Sequence, residues 1–171
     1  MLKKFARESY ASMTEFVLPN DTNTLNNLMG GRLMHLMDIV AAISAQRHSN
    51  STVVTASVDN VSFATPIKLG NVVTLEAKVT RSFRSSMEVR ITVYAEDIPN
   101  RYRYKSNEAY FTFVAIYPDG KPREVPELVP ESEEEFNFYA SALRRRQLRL
   151  VLAGRMKPEE ATELRSLFQT V

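Results

Sequence analysis

The 171-residue chain has no cysteine, no tryptophan, two histidines and five glycines. Without cysteine there is no disulfide, no thiol nucleophile and no thiolate metal site, which fits a reducing compartment. The two histidines, His35 and His48, stand at a spacing that matches no metal motif. There is no G-x-S-x-G elbow to carry a serine nucleophile, and neither a phosphate loop nor a dinucleotide fingerprint. No apolar run is long enough to cross a bilayer, and the start, "MLKKFARESYASM", has no apolar stretch behind its basic residues. A cytoplasmic protein without a membrane partner is expected. An excess of one charge is also missing. Lys+Arg (22) nearly balance Asp+Glu (20), so nothing marks a nucleic-acid partner.

What is present is an ordinary core-forming composition, 44% hydrophobic and 25% charged, sized for one globular domain. Its middle is dominated by alternating, β-branched segments: "TVVTASVDNVSF", "VVTLEAKVTRSF", "SMEVRITVYAED" and "EAYFTFVAIYP". They predict four long antiparallel strands, and "ASMTEFVL" before Pro19 predicts a fifth. Between the fifth and the other four lies one convincing helix, Arg32 to about Arg47, apolar on nearly all sides and therefore expected to be buried. The order predicts an α+β fold, a curved antiparallel sheet wrapped around one long central helix. One helix cannot cover both faces of such a sheet, so association is expected.

Beyond "YPDGKPREVPELVP" the character changes. Ser132 and Glu135 form a capping box, acidic residues follow, and "LRRRQLR" comes late in the helix, the order the helix dipole favours. "RMKPEEATELRSLF" predicts a second short helix with Pro158 near its start. The predicted division is a core over residues 1–130 and a C-terminal helical extension over 131–171.

The helix "GGRLMHLMDIVAAI" carries the chemistry. Asp38 has Met34, Ala41 and Ala42 as helical neighbours, and only His35 offers a polar partner. A carboxylate there either meets an arginine or an interface elsewhere, or acts as a general base. Gly30 and Gly31 look like a loop entering a helix N-terminus, where free N–H groups favour a developing oxyanion; the bland alternative is a tight turn capped by Asn26 or Asn27. Gly31 and Asp38 are roughly 10 Å apart along a helix axis, which suggests two subunits working together. The asparagines of "NDTNTLNN", Asn23 among them, also suit a plain turn. Arg84, Ser85 and Ser86 stand at a strand junction that is either an ordinary hairpin or a phosphate contact. His48, at a helix C-terminus, is expected in a setting that favours its positive form.

Taken together, "LPNDTNTLNNLMGGRLMHLMDIVAAISAQRH", "P-I-x-x-G-x-V-V", "R-S-S" and "F-T-F-V-A", in this order, resemble the hot-dog-fold acyl-CoA thioesterases of the cytosolic acyl-CoA hydrolase group. The resemblance covers roughly residues 8 to 130. It implies hydrolysis of fatty acyl-CoA to free acid and coenzyme A, with no cofactor, since coenzyme A is part of substrate and product. It implies a homo-oligomer with a dimer as minimal unit, three dimers forming a hexamer, and an active site across the paired interface. It implies Asp38 as the catalytic carboxylate, Asn23 acting from the facing subunit, and the Gly31 N–H receiving the thioester oxygen. Gly30, Arg84, Ser85 and Ser86 become substrate contacts. Two rivals exist. "DTNTLN" resembles a hydratase signature, but Asn26 stands where that chemistry needs a histidine. A non-catalytic acyl-CoA or nucleotide-sensing module is the other, although no helix-turn-helix precedes the core.

Overall fold

A computed structural model describes residues 2–59, 61–63 and 65–168. In chain order the elements are β1 (Lys3–Phe5), β2 (Ala11–Phe16), α1 (Gly30–Ser49), β3 (Thr52–Val58), β4 (Val72–Ser82), β5 (Ser86–Asp97), β6 (Tyr102–Ile116), β7 (Glu127–Val129), α2 (Glu133–Leu152) and α3 (Thr162–Ser166). Five strands form one antiparallel sheet in the order β2-β4-β5-β6-β3, with β3 and β2 at its edges. A short parallel pair, β1 with β7, stands apart and was not foreseen.

Period-two alternation explains the sheet's inner face. Leu75, Ala77 and Val79 of β4, Val89, Ile91 and Val93 of β5, and Phe111 and Phe113 of β6 are all buried. Against them lie Leu33, Met37, Val40, Ala41 and Ala45 of α1, so the core sits between one helix and a sheet curled around it. This is the hot-dog arrangement.

Helix α1 differs from expectation at both ends. Both glycines lie inside its first turn, and the N-cap is Met29, whose side chain makes no capping bond; neither Asn26 nor Asn27 caps it. Asn26 instead occupies the left-handed region of the preceding turn, φ 56°. At the far end Asn50 takes φ 49° and its N–H closes on the Gln46 carbonyl, as a C-terminal cap requires. The helix is also less enclosed than its apolar sequence implied. Ile39 and Ile43, one turn apart, are 36% and 40% exposed, and the edge-strand residues Val54 and Val58 are exposed too.

The sheet's outer face is covered by α2. Ser132 Oγ accepts the Glu135 N–H at 3.1 Å, but the Glu135 carboxylate reaches back to the Glu131 N–H at 2.8 Å instead of the cap residue's own. The run of arginines is not a solvated face. Arg145 and Arg149 both bond the carboxylate of Glu88, which is fully buried on β5, at 2.8 and 3.1 Å, and Arg149 also bonds Asp59 at 2.9 Å. Burial pushes the Asp59 carboxyl above its ordinary range, partly opposed by Arg149. The last segment is a 3-10 turn, Pro158–Glu160, followed by α3.

His48 also departs from expectation. It is fully buried, with its Nε2 2.9 Å from the Pro126 carbonyl oxygen. Burial lowers its pKa, so the neutral ring is favoured: desolvation outweighs the helix dipole.

Candidate active site

The segment before α1 is folded back on itself by side-chain caps. Asn23 Oδ1 accepts the N–H groups of Leu25 and Asn27 at 3.0 and 3.1 Å, and the Asn23 N–H bonds the Asn27 carbonyl at 2.8 Å. Its oxygen is thereby saturated, while its exposed Nδ2 has no bond among the described residues and remains a donor. Asp21 anchors the loop at both ends. Its carboxylate accepts the Leu18 N–H at 3.1 Å and Arg32 Nε at 2.9 Å, and its carbonyl accepts the Met29 N–H at 2.9 Å. Arg32 also reaches Glu15 at 3.1 Å, so the first turn of α1 is tied to β2 and to the loop.

That first turn keeps the free N–H groups every helix start has, and no side chain caps them. Gly30 lies 3.6 Å, from its would-be Cβ, to the ring of Phe63. Gly31 is exposed, and among the described residues nothing beyond its own helix turn lies within 4 Å of where a Cβ would stand. Asn23 and Gly30 line one cleft with Leu28, Leu33, Phe63 and Ile67. Asp38 is not in its lining.

Asp38 is half-buried, farther along α1. Its partner among the described residues is Thr55 of edge strand β3, whose hydroxyl donates to Asp38 Oδ1 at 2.6 Å, and not the exposed His35. A bulge in the β3–β6 register falls between Thr55 and Ser57, a device that re-aims a side chain where a regular ladder would not. Thr55 escaped the sequence reading because nothing local marks it; only the pairing of α1 with β3 brings it to Asp38. Within one subunit the structure does not bring Asn23, Gly31 and Asp38 together.

Arg84 and Ser85 are the two-residue turn of the β4–β5 hairpin, closed by the Phe83 N–H on the Ser86 carbonyl at 2.8 Å. Arg84 extends into solvent with Glu124 at 3.2 Å. The Ser86 hydroxyl lies 3.4 Å from an Arg146 nitrogen. Ser86 pairs with Val114, which pairs with Val54, placing the hairpin two strands in from Thr55's end of β3. Among the described residues no group of three or more His, Asp or Glu side chains is arranged to hold a metal ion. No helix among the described residues is long and apolar enough to cross a membrane.

Residues 25–100 match the family model described as "Thioesterase superfamily". A Bacillus subtilis protein described as an uncharacterized acyl-CoA thioester hydrolase is 43% identical over 83% of this chain and 83% of its own length. The cytosolic acyl coenzyme A thioester hydrolase of mouse is 40% identical over 74% of this chain, which spans only 34% of that longer protein. A hexameric acyl-CoA thioesterase, solved without ligand, superposes with a TM-score of 0.87 at 37% identity, covering 90% of this chain and 98% of that one. An acyl-CoA hydrolase of Staphylococcus aureus, solved with coenzyme A and butyryl coenzyme A, superposes with a TM-score of 0.82 at 37% identity, covering 89% of this chain and 94% of that one. The chain belongs to the thioesterase superfamily, and its fold is the hot-dog fold of those enzymes.

Proposed function

We propose that the protein hydrolyses the thioester of fatty acyl-coenzyme A, releasing free acid and coenzyme A, with Asp38 as general base or nucleophile. The observation that carries this reading is the Asp38 carboxylate, flanked on its helix by Met34, Ala41 and Ala42 and oriented by the Thr55 hydroxyl on an open sheet edge. As general base, Asp38 takes a proton from water while the water oxygen attacks the carbonyl carbon; the C–S bond breaks and the thiolate leaves with that proton. As nucleophile, the same carboxylate attacks the carbonyl carbon, the C–S bond breaks as the coenzyme A thiolate leaves, and water then opens the resulting anhydride. In both routes the carbonyl oxygen becomes an oxyanion, and the Gly31 N–H receives it, a contribution of roughly 3 kcal/mol for one such donor.

Asn23 acts from the facing subunit through its free Nδ2. The separation of the first turn of α1 from Asp38 along one helix supports a site shared between two copies. The Staphylococcus aureus enzyme offers a parallel. Its aspartate, asparagine and threonine have each been changed to alanine, and these three are spaced by 15 and 17 residues, as are Asn23, Asp38 and Thr55 here. The uncovered edge of β3, with Val54 and Val58 beside Ile39 and Ile43, supports a dimer in which two sheets join edge to edge. Three such dimers would form the hexamer, the state named for two of the structural relatives. Gly30, Arg84, Ser85 and Ser86 contact the coenzyme A moiety. A cytoplasmic location accords with the mouse relative's description as cytosolic.

The test is release of free thiol from a panel of acyl-CoAs. Wild type is expected to cleave several chain lengths, while Asp38→Asn and Asn23→Ala proteins with unchanged assembly lose at least a hundredfold in rate. Wild type that binds coenzyme A esters without cleaving any would overturn the reading.

A further inference from the structure

The arginines along α2 do not share one fate. Arg145 and Arg149 meet Glu88 and Asp59. Arg146 is turned away from both, lies half-buried, and has no carboxylate partner among the described residues. Its guanidinium stacks over the Phe83 ring at 4.3 Å and points one nitrogen toward the Ser86 hydroxyl at 3.4 Å. Arg81, on β4, approaches the same ring at 5.7 Å, stacks on Tyr139 at 4.2 Å and bonds the Tyr139 carbonyl at 3.0 Å. It too lacks a carboxylate partner among the described residues, as does Arg155. Elsewhere on this face the half-buried arginines, Arg90, Arg145 and Arg149, are neutralised by acids.

Cations gathered without an acid repel one another, and partial burial adds to the cost. Arg146 shows both effects: burial first, then Arg149, Arg155 and Arg81, hold its pKa below the ordinary arginine value. An anion placed between the guanidinium groups relieves the repulsion. Two planar forks with a hydroxyl beside them suit the tetrahedral array of oxygens on a phosphate better than a single carboxylate.

We propose that Arg146 and Arg81, with the Ser86 hydroxyl, form a binding subsite for a phosphate group, so that the C-terminal helix α2 takes part in ligand recognition. The phosphate belongs either to the nucleotide end of the coenzyme A ester, which rests on the thioesterase reading above, or to a separate phosphate-bearing ligand. The subsite itself does not depend on that reading.

The experiment is calorimetric titration of the full-length assembly with pyrophosphate, for wild type, Arg146→Ala and Arg81→Ala, beside kinetics with an acyl-CoA and the matching acyl-pantetheine. Binding by wild type that weakens about tenfold in each variant is expected. A KM for acyl-CoA that rises in parallel, with kcat and the acyl-pantetheine reaction unchanged, gives the phosphate to the substrate. Unchanged KM with weakened pyrophosphate binding gives it to a separate ligand. Absence of binding to wild type, equal binding to both variants, or altered oligomeric state in the variants, which would mean the arginines meet a second copy of the chain, overturns the proposal. Should wild type cleave no acyl-CoA, the thioesterase reading fails while the titration still decides the subsite.

Discussion

The Thr55 hydroxyl donates to the Asp38 carboxylate at 2.6 Å, linking the middle of the central helix to an open edge of the sheet. A short bond to a charged acceptor fixes one carboxylate oxygen and leaves the other to act. Thr55→Val keeps the shape and removes the donor. A fall in kcat of about tenfold is expected, equal to about 1.4 kcal/mol, with KM little changed, and Thr55→Ser should recover most of the rate. Equal kcat for the valine and wild-type proteins would remove Thr55 from the site.

Arg32 and Asp21 form a clamp at the other end of the site. They are partly exposed, with side-chain accessibilities of 31% and 17%, so the pair contributes about 1 kcal/mol or less to global stability. Its effect is local, because Asp21 also holds the N–H of Leu18 and, through its carbonyl, that of Met29. Arg32→Ala should therefore speed amide hydrogen exchange between Asn23 and Met29 and lower kcat, while the melting temperature moves by only a few degrees. Exchange confined to wild-type rates would show that the loop holds itself.

Glu88 is the anchor of α2. Its carboxylate is fully buried and faces two guanidinium groups, so Glu88→Gln leaves Arg145 and Arg149 with Asp59 alone to balance them. Breaking a buried pair in this way costs about 3 kcal/mol. Urea unfolding should show that loss as a lower midpoint, and an unchanged midpoint would mean that water already screens the cluster.

The lowered pKa of buried His48 ties stability to pH. Its folded pKa is lowered from 6.5, so below that value the unfolded chain binds a proton that the folded chain resists. Stability is fully present above about 6.5 and declines as pH falls. Wild type should lose stability between pH 7 and 5 more steeply than His48→Gln, whose amide can still donate to the Pro126 carbonyl. Parallel pH profiles would assign the decline to other groups.

The strand and helix inventory was legible because its signals are local. Alternation in β4, β5 and β6 and the long apolar stretch of α1 specify those elements whatever surrounds them. The peculiarity of Asp38 was legible for the same reason, since helical spacing alone shows that its neighbours are apolar. The caps were less so: Asn26 and Asn27 have capping side chains, yet the loop uses Asn23 for its own closure and leaves α1 uncapped.

By itself, then, the sequence determined the sheet, the long central helix and the lone carboxylate on it, all of which follow from periodicity and helical spacing. Tertiary structure decided which groups meet. Thr55 reaches Asp38 only through a strand register and a bulge, the α2 arginines sort between Glu88 and the Phe83 hairpin only when the helix docks, and the His48 pKa falls only because the core buries the ring, against the pull of its bond to the Pro126 carbonyl. Contacts between residues far apart in the chain depend on how elements pack, and burial, which sets the cost of charge, exists only after they have packed.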